Sequence, residues 1–149
     1  MKKTLFLVSL LTVCSISSKA QEYKTAIGIR IGPNSAAIAP GFTVKHFMKE
    51  KNALEVLVGF GNGLGVCGLY EWYQPVAAIE HLQWFAGAGA YAAYRSKTAF
   101  IGASGIVGVD YKFPDIPLNI SIDWKPELNI IETVGFEASG VGFSARFTF

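Results

Sequence analysis

From Tyr23 onward the chain alternates apolar and polar positions with period two, and no stretch holds a convincing 3.6-residue period for more than two turns. Successive side chains of a strand point to opposite faces, so the pattern predicts strands throughout and no helix. Eight segments carry it: Tyr23 to Gly32, Gly41 to Met48, Ala53 to Gly61, Gly63 to Gln74, Leu82 to Arg95, Phe100 to Phe113, Leu118 to Lys125 and Gly140 to Phe149. The seventh is the clearest, with Leu118, Ile120, Ile122 and Trp124 against Asn119, Ser121, Asp123 and Lys125. In the eighth, Val141, Phe143, Ala145, Phe147 and Phe149 oppose Gly142, Ser144, Arg146 and Thr148.

Turn signals separate the segments. Gly61-Asn62-Gly63 reads as a tight hairpin, because Asn and Gly tolerate the positive φ that such turns need. Pro114-Asp115-Ile116-Pro117 ends the sixth segment, since proline cannot donate to a ladder. Pro126 to Ser139 is expected to be the longest loop.

Composition sharpens this pattern. Of 149 residues, 51% are apolar and 16% charged, where a soluble domain usually has about a quarter charged. The one long apolar run, Leu5 to Ile16, is too short to cross a bilayer as a helix, which takes roughly 20 residues. With Lys2 and Lys3 before it and Ser18-Lys19-Ala20 after it, the run reads as a secretory signal cleaved after Ala20. The expected domains are thus a signal at 1–20 and a β-barrel at 21–149. A lipid-anchored reading through Cys14 is disfavoured by the bulky Val13 before it. Loss of Lys2, Lys3 and Lys19 takes three charges from a formal +2, leaving −1 and nothing basic enough to suggest nucleic acid. One cysteine, Cys67, then remains, so no internal disulfide is possible.

The polar face decides the architecture. A water-facing sheet would show Lys, Glu, Ser and Thr, whereas here that face is mostly glycine with isolated charges, which suits the narrow interior of an eight-stranded barrel. The charges assigned to this lumen are Arg30, Lys45, Glu55, Glu71, Arg95, Asp110, Lys112, Asp123, Lys125 and Arg146. Mixed signs allow them to pair, as enclosed charges must. Aromatics sort by strand end into two expected interfacial girdles. Tyr23, Trp72, Trp84, Tyr111, Phe113 and Phe149 fall at one end, and Phe42, Phe60, Tyr94, Phe100 and Trp124 at the other. The expected fold is all-β: an eight-stranded antiparallel up-and-down transmembrane barrel whose last strand pairs with its first.

The segments Gly108-Val109-Asp110-Tyr111-Lys112-Phe113, Ile116 to Pro126, and Arg146-Phe147-Thr148-Phe149, with the signal ending in Ala20-Gln21, resemble small outer-membrane β-barrel proteins of Gram-negative bacteria. The likeness is to the short barrels typical of Bacteroidetes, within the OmpA- and OmpX-like superfamily. It implies outer-membrane lipid as surroundings and an aromatic terminal strand, Val141, Phe143, Phe147 and Phe149, read by the outer-membrane assembly machinery. It implies no common catalytic site and no cofactor.

An enzyme would need a histidine base near a hydroxyl and an acid, but His46 and His81 fall on separate elements and His81 has no serine near it in sequence. Cys67, His46 and His81 have no metal-ligand spacing. The expectation is a monomeric, non-enzymatic barrel of structural or interaction type. A small selective pore and a soluble secreted lipocalin-like barrel holding an apolar ligand are the alternatives.

Overall fold

The computed structural model describes residues 23–33, 40–61, 63–131 and 134–149. The signal segment 1–20 and most of the loop at 33–40 lie outside these residues. The chain is all-β and forms a closed, eight-stranded, antiparallel up-and-down barrel.

Ten strand segments build it: β1 (Thr25–Ile31), β2 (Gly41–Lys49), β3 (Asn52–Gly59), β4 (Leu64–Pro75), β5 (Leu82–Arg95), β6 (Thr98–Lys112), β7 (Leu118–Trp124), β8 (Glu127–Asn129), β9 (Gly135–Glu137) and β10 (Val141–Thr148). Neighbours in sequence pair from β1 through β7, and β10 pairs with both β7 and β1 to close the ring. The closing register sets Ile27 opposite Phe147 and Arg30 opposite Ser144.

The count of eight holds because β8 continues β7 and β9 leads into β10. β7 pairs with the lower half of β6, from Val107 to Lys112, and β8 with its upper half, from Gly102 to Ser104. The segment expected to be a loop, Pro126 to Ser139, is therefore largely a short hairpin extending two staves of the barrel. Pro126 interrupts the stave without ending it. It has no N–H to give, but its carbonyl accepts the Gly105 N–H at 3.0 Å, so pairing resumes at Glu127.

Upper and lower ends are used here for the two rims. The lower rim carries the turns at 49–52, 75–82 and 112–118, and the upper rim carries the turn at 95–98 and the β8–β9 hairpin. Side chains at the predicted parity separate cleanly: β4 alternates exposed and buried residues from Leu64 to Gln74.

A buried ionic lumen and an apolar wall

The wall is apolar because the period-two pattern holds along each stave between the rims, departing from it at the register shift between Phe47 and Lys49 near the end of β2. Between the rims the outward positions, from Ile27, Ile29 and Ile31 round to Val141, Phe143 and Phe147, carry no Asp, Glu, Lys or Arg among the described residues; Lys49, past that register shift, stands exposed at the lower rim. These side chains are open to the surroundings: Ile29 is 52% exposed, Phe42 56% and Trp72 49%. The interior has the opposite chemistry. Arg30, Lys45, Glu55, Glu71, Asp110, Asp123, Lys125 and Arg146 are all buried there.

With Glu127, also buried, these charges form two groups. In the lower one Arg146 Nη2 lies 2.5 Å from Glu55 Oε1, while its Nη1 donates to Ser121 Oγ at 2.8 Å and Asn119 Oδ1 at 3.3 Å, and its Nε to Thr43 Oγ1 at 3.1 Å. Every nitrogen of the guanidinium is thus used, which is what a buried arginine requires. Thr43 Oγ1 in turn donates to Glu55. Beside it Lys45 Nζ faces Glu71 Oε2 at 3.2 Å, Asp110 Oδ2 at 3.7 Å and Glu55 Oε2 at 3.9 Å, and donates to the Tyr73 hydroxyl. Tyr73 passes a hydrogen bond to Glu71 Oε2 at 2.8 Å, and Asn119 Nδ2 donates to Asp110 Oδ1 at 2.5 Å. Two cations therefore serve three carboxyl groups. The surplus shows as three buried oxygens without a hydrogen-bond donor among the described residues: Glu55 Oε2, Glu71 Oε1 and Asp110 Oδ2.

In the upper group Arg30 Nη2 meets Asp123 Oδ1 at 2.5 Å and Lys125 Nζ pairs with Glu127. Arg30 on β1 reaches Asp123 on β7 by crossing β10 at Gly142, where a Cβ would collide with the guanidinium. Glu127 was not expected in the lumen, because Pro126 suggested that the strand had ended. Continued alternation past the proline, with Lys125 and Glu127 two residues apart, is the signal that reveals it.

Below the ions the interior is filled by aromatic rings. Tyr23 packs edge-on to Phe47 at 5.3 Å between centroids, Phe47 to Tyr73 at 4.9 Å, and Tyr73 stacks on Phe85 at 5.1 Å. Lys45 Nζ sits 4.8 Å from the Phe85 centroid, so the ring faces complete the cation's surroundings.

Four expected placements need correcting. Tyr23 is buried inside the lower mouth and not in the girdle, because a bend at Lys24 breaks the alternation before β1 and turns the ring inward. Phe100 shares the inward parity of Gly102 and packs against the core, although its position at the strand end suggested the rim. Arg95 stands at the upper end of β5, half-buried, with its guanidinium 5.5 Å from the Phe100 centroid. Lys112 caps the lower turn, donating to the carbonyls of Phe113 and Ile116. The strands run out before either cation reaches the lumen network.

The other aromatics stand on the exterior. Trp72, Trp84, Tyr111, Phe113 and Phe149 are at or near the lower rim, and Phe42, Phe60 and Tyr94 near the upper. Trp124 also faces out, its Nε1 donating to Ala138 O at 2.6 Å, but the β8–β9 hairpin extends the wall above it. Val141, Phe143 and Phe147 lie on the same outer face of β10. His46 bonds Thr25 Oγ1 at 2.9 Å on the exterior, and His81 occupies a lower turn with φ of 63°. Cys67 is a free, buried thiol.

No family model, no curated protein and no solved structure matches this chain.

Proposed function

We propose that the chain is an integral outer-membrane β-barrel of structural or interaction type, exported by a signal cleaved after Ala20, with a lumen that neither conducts nor catalyses. One observation carries the reading: among the described residues the wall between the rims is overwhelmingly apolar and free of Asp, Glu, Lys and Arg, with Thr25, His46, Lys49 and Gln74 confined to the lower end, while the interior holds the ion pairs. In water such a wall would expose a contiguous apolar surface far beyond the few hundred Å² usual for a soluble monomer. In hydrocarbon the same wall is favourable, and ring closure leaves no strand edge unpaired.

A lipocalin-like carrier needs an apolar internal cavity, whereas this interior is filled by paired side chains. A pore needs a water path, and the Tyr23, Phe47, Tyr73 and Phe85 rings obstruct the lower end. Both contrasts support a closed, monomeric barrel surrounded by outer-membrane lipid. The likeness to short Gram-negative barrels of the OmpA and OmpX type agrees with it. On the same reading the outward face of β10, with Phe149 beyond it, is what the assembly machinery engages.

The test is extraction and gel mobility. The mature protein should fractionate with outer membranes, resist carbonate extraction and migrate differently before and after boiling. Recovery in the soluble periplasmic fraction would overturn the proposal. Planar-bilayer recording of the folded protein should show no steady conductance, and regular ohmic steps would favour the pore instead.

A further inference from the structure

The lower ionic group does not balance. Lys45 and Arg146 bring two positive charges, while Glu55, Glu71 and Asp110 bring three carboxyl groups, each at most 1% exposed. Fully ionised, the group carries one surplus negative charge, and a buried charge without compensation is costly. The other buried cations are engaged elsewhere, Arg30 by Asp123 and Lys125 by Glu127.

The hydrogen bonds show where the surplus sits. Glu55 Oε1 accepts from Arg146 and Thr43, and Glu71 Oε2 accepts from Tyr73 at 2.8 Å and faces Lys45 Nζ at 3.2 Å. The second oxygen of each, Glu55 Oε2 and Glu71 Oε1, has no donor among the described residues. Register brings the two side chains together. Glu71 on β4 lies opposite Ala53 of β3, two residues along the same inward face from Glu55, and the two carboxyl groups come within hydrogen-bonding reach of each other. Two carboxylates so placed repel, whereas an acid and a carboxylate attract, because the acid supplies the missing O–H donor.

The remaining neighbours do not supply the missing charge. Asp110 on β6 is held apart from this contact, its Oδ1 accepting from Asn119 at 2.5 Å and its Oδ2 facing Lys45 Nζ at 3.7 Å. β5 contributes the Phe85 ring, and β7 the Asn119 amide and the Ser121 hydroxyl. Ahead of β1, the Tyr23 hydroxyl is also buried without a partner and lies within electrostatic reach of Asp110, Arg146, Glu71 and Glu55. It offers a hydrogen and no positive charge.

We infer that the lower lumen is a binding site for one proton, held between Glu71 and Glu55 at neutral pH while Asp110 stays ionised. Glu71 Oε1 carries the proton and donates it toward the Glu55 carboxylate. Glu71 Oε2 goes on accepting from Tyr73 and Lys45. Two negative charges then face two positive ones, and the oxygens of both glutamates are satisfied. The proton belongs to the pair, as in any carboxyl dyad too close for both members to ionise. The inference rests on the lumen alone and holds whether or not the wall faces lipid.

Infrared spectroscopy of the folded mature protein at neutral pH, in deuterated buffer and an ester-free detergent, tests it. A protonated carboxyl group has a carbonyl stretch separate from the carboxylate and amide bands, so the wild type should show such a band with the intensity of one carboxyl group. Glu71→Gln should abolish it. Asp110→Asn leaves two carboxylates for two cations and should abolish it as well, although Glu55 and Glu71 are both still present. Circular dichroism confirms folding of each variant. Absence of the band in the folded wild type would overturn the inference, as would its persistence at full intensity in folded Glu71→Gln or folded Asp110→Asn.

Discussion

Arg146 and Glu55, 91 residues apart in sequence, meet at 2.5 Å in the lumen, with β1 and β2 between their strands. The pair ties the closing stave to the opposite side of the seam. Breaking a buried pair by removing one partner typically costs about 3–5 kcal/mol, since the other charge is left uncompensated. Arg146→Met should therefore lower barrel stability by about that amount. Arg146→Met/Glu55→Gln should cost clearly less than the two single changes added together. Urea titration of folded barrel in micelles, read as a double-mutant cycle, checks this; strict additivity would show that the pair is not coupled.

Glu71 and Glu55 should respond differently to the same isosteric change. Lys45 and Arg146 face three carboxyl groups, so Glu71→Gln removes surplus negative charge while keeping an acceptor for Tyr73. Its cost should stay below about 1 kcal/mol, against several for Glu55→Gln, which leaves Arg146 without its counter-ion. The same urea titration ranks the two, and a larger cost for Glu71→Gln would mean that Lys45 depends on that carboxylate.

Gly142 should resist even alanine. The Arg30 guanidinium passes over it to Asp123, and an added methyl group occupies that path. Gly142→Ala should destabilise by about 1–3 kcal/mol, the usual range for overpacking. In an Asp123→Asn background, where Arg30 has lost its ion pair, the penalty should shrink. An equal penalty in both backgrounds would place the clash in the backbone and not in the arginine.

The β5–β6 turn should be improvable. Ser96 and Lys97 both adopt left-handed backbone, which costs non-glycine residues about 1–2 kcal/mol each. Ser96→Asn/Lys97→Gly should raise stability by about 1 kcal/mol, with the refolding yield following. No gain would show that the turn is held by contacts to the original side chains.

Cys67 offers a probe that needs no engineering. It is fully buried on the inner face of β4, so maleimide should not label it in the folded barrel and should label it completely after boiling in detergent. Rapid labelling before unfolding would mean that the upper lumen admits solutes.

Much of the barrel was legible in the chain because period two is a local property. Arg30, Lys45, Glu55 and Arg146 were placed inside by parity alone, and the pairing of β10 with β1 followed from the need to close the sheet. Parity failed where the backbone departs from it. The bend at Lys24 turns Tyr23 inward, and Pro126, which signals a strand end, falls at a gap in the ladder where its missing N–H is not needed. Phe100 differs for another reason: it stands at a strand end, where girdle aromatics are found, but its parity turns the ring onto the core. Which cation meets which acid was not legible: Glu55, Asp110 and Asp123 all share Arg146's face, and only register and barrel curvature select Glu55.

The pairing of β1 with β10 also governs how the molecule is made. The strand that emerges first must wait, unpartnered on one side, until the tenth segment has arrived, because its partner is the most distant stave in sequence. Hairpins such as β5–β6 can form locally, but the ring is a clasp that only the final stave fastens. Such distant pairing delays closure, since the entropy of bringing the ends together is lost before contacts compensate it. Arg146 and Gly142 arrive with that same stave, so Arg146 meets Glu55 and Arg30 meets Asp123 only as the ring shuts, whereas Lys125 and Glu127 stand two residues apart and pair beforehand.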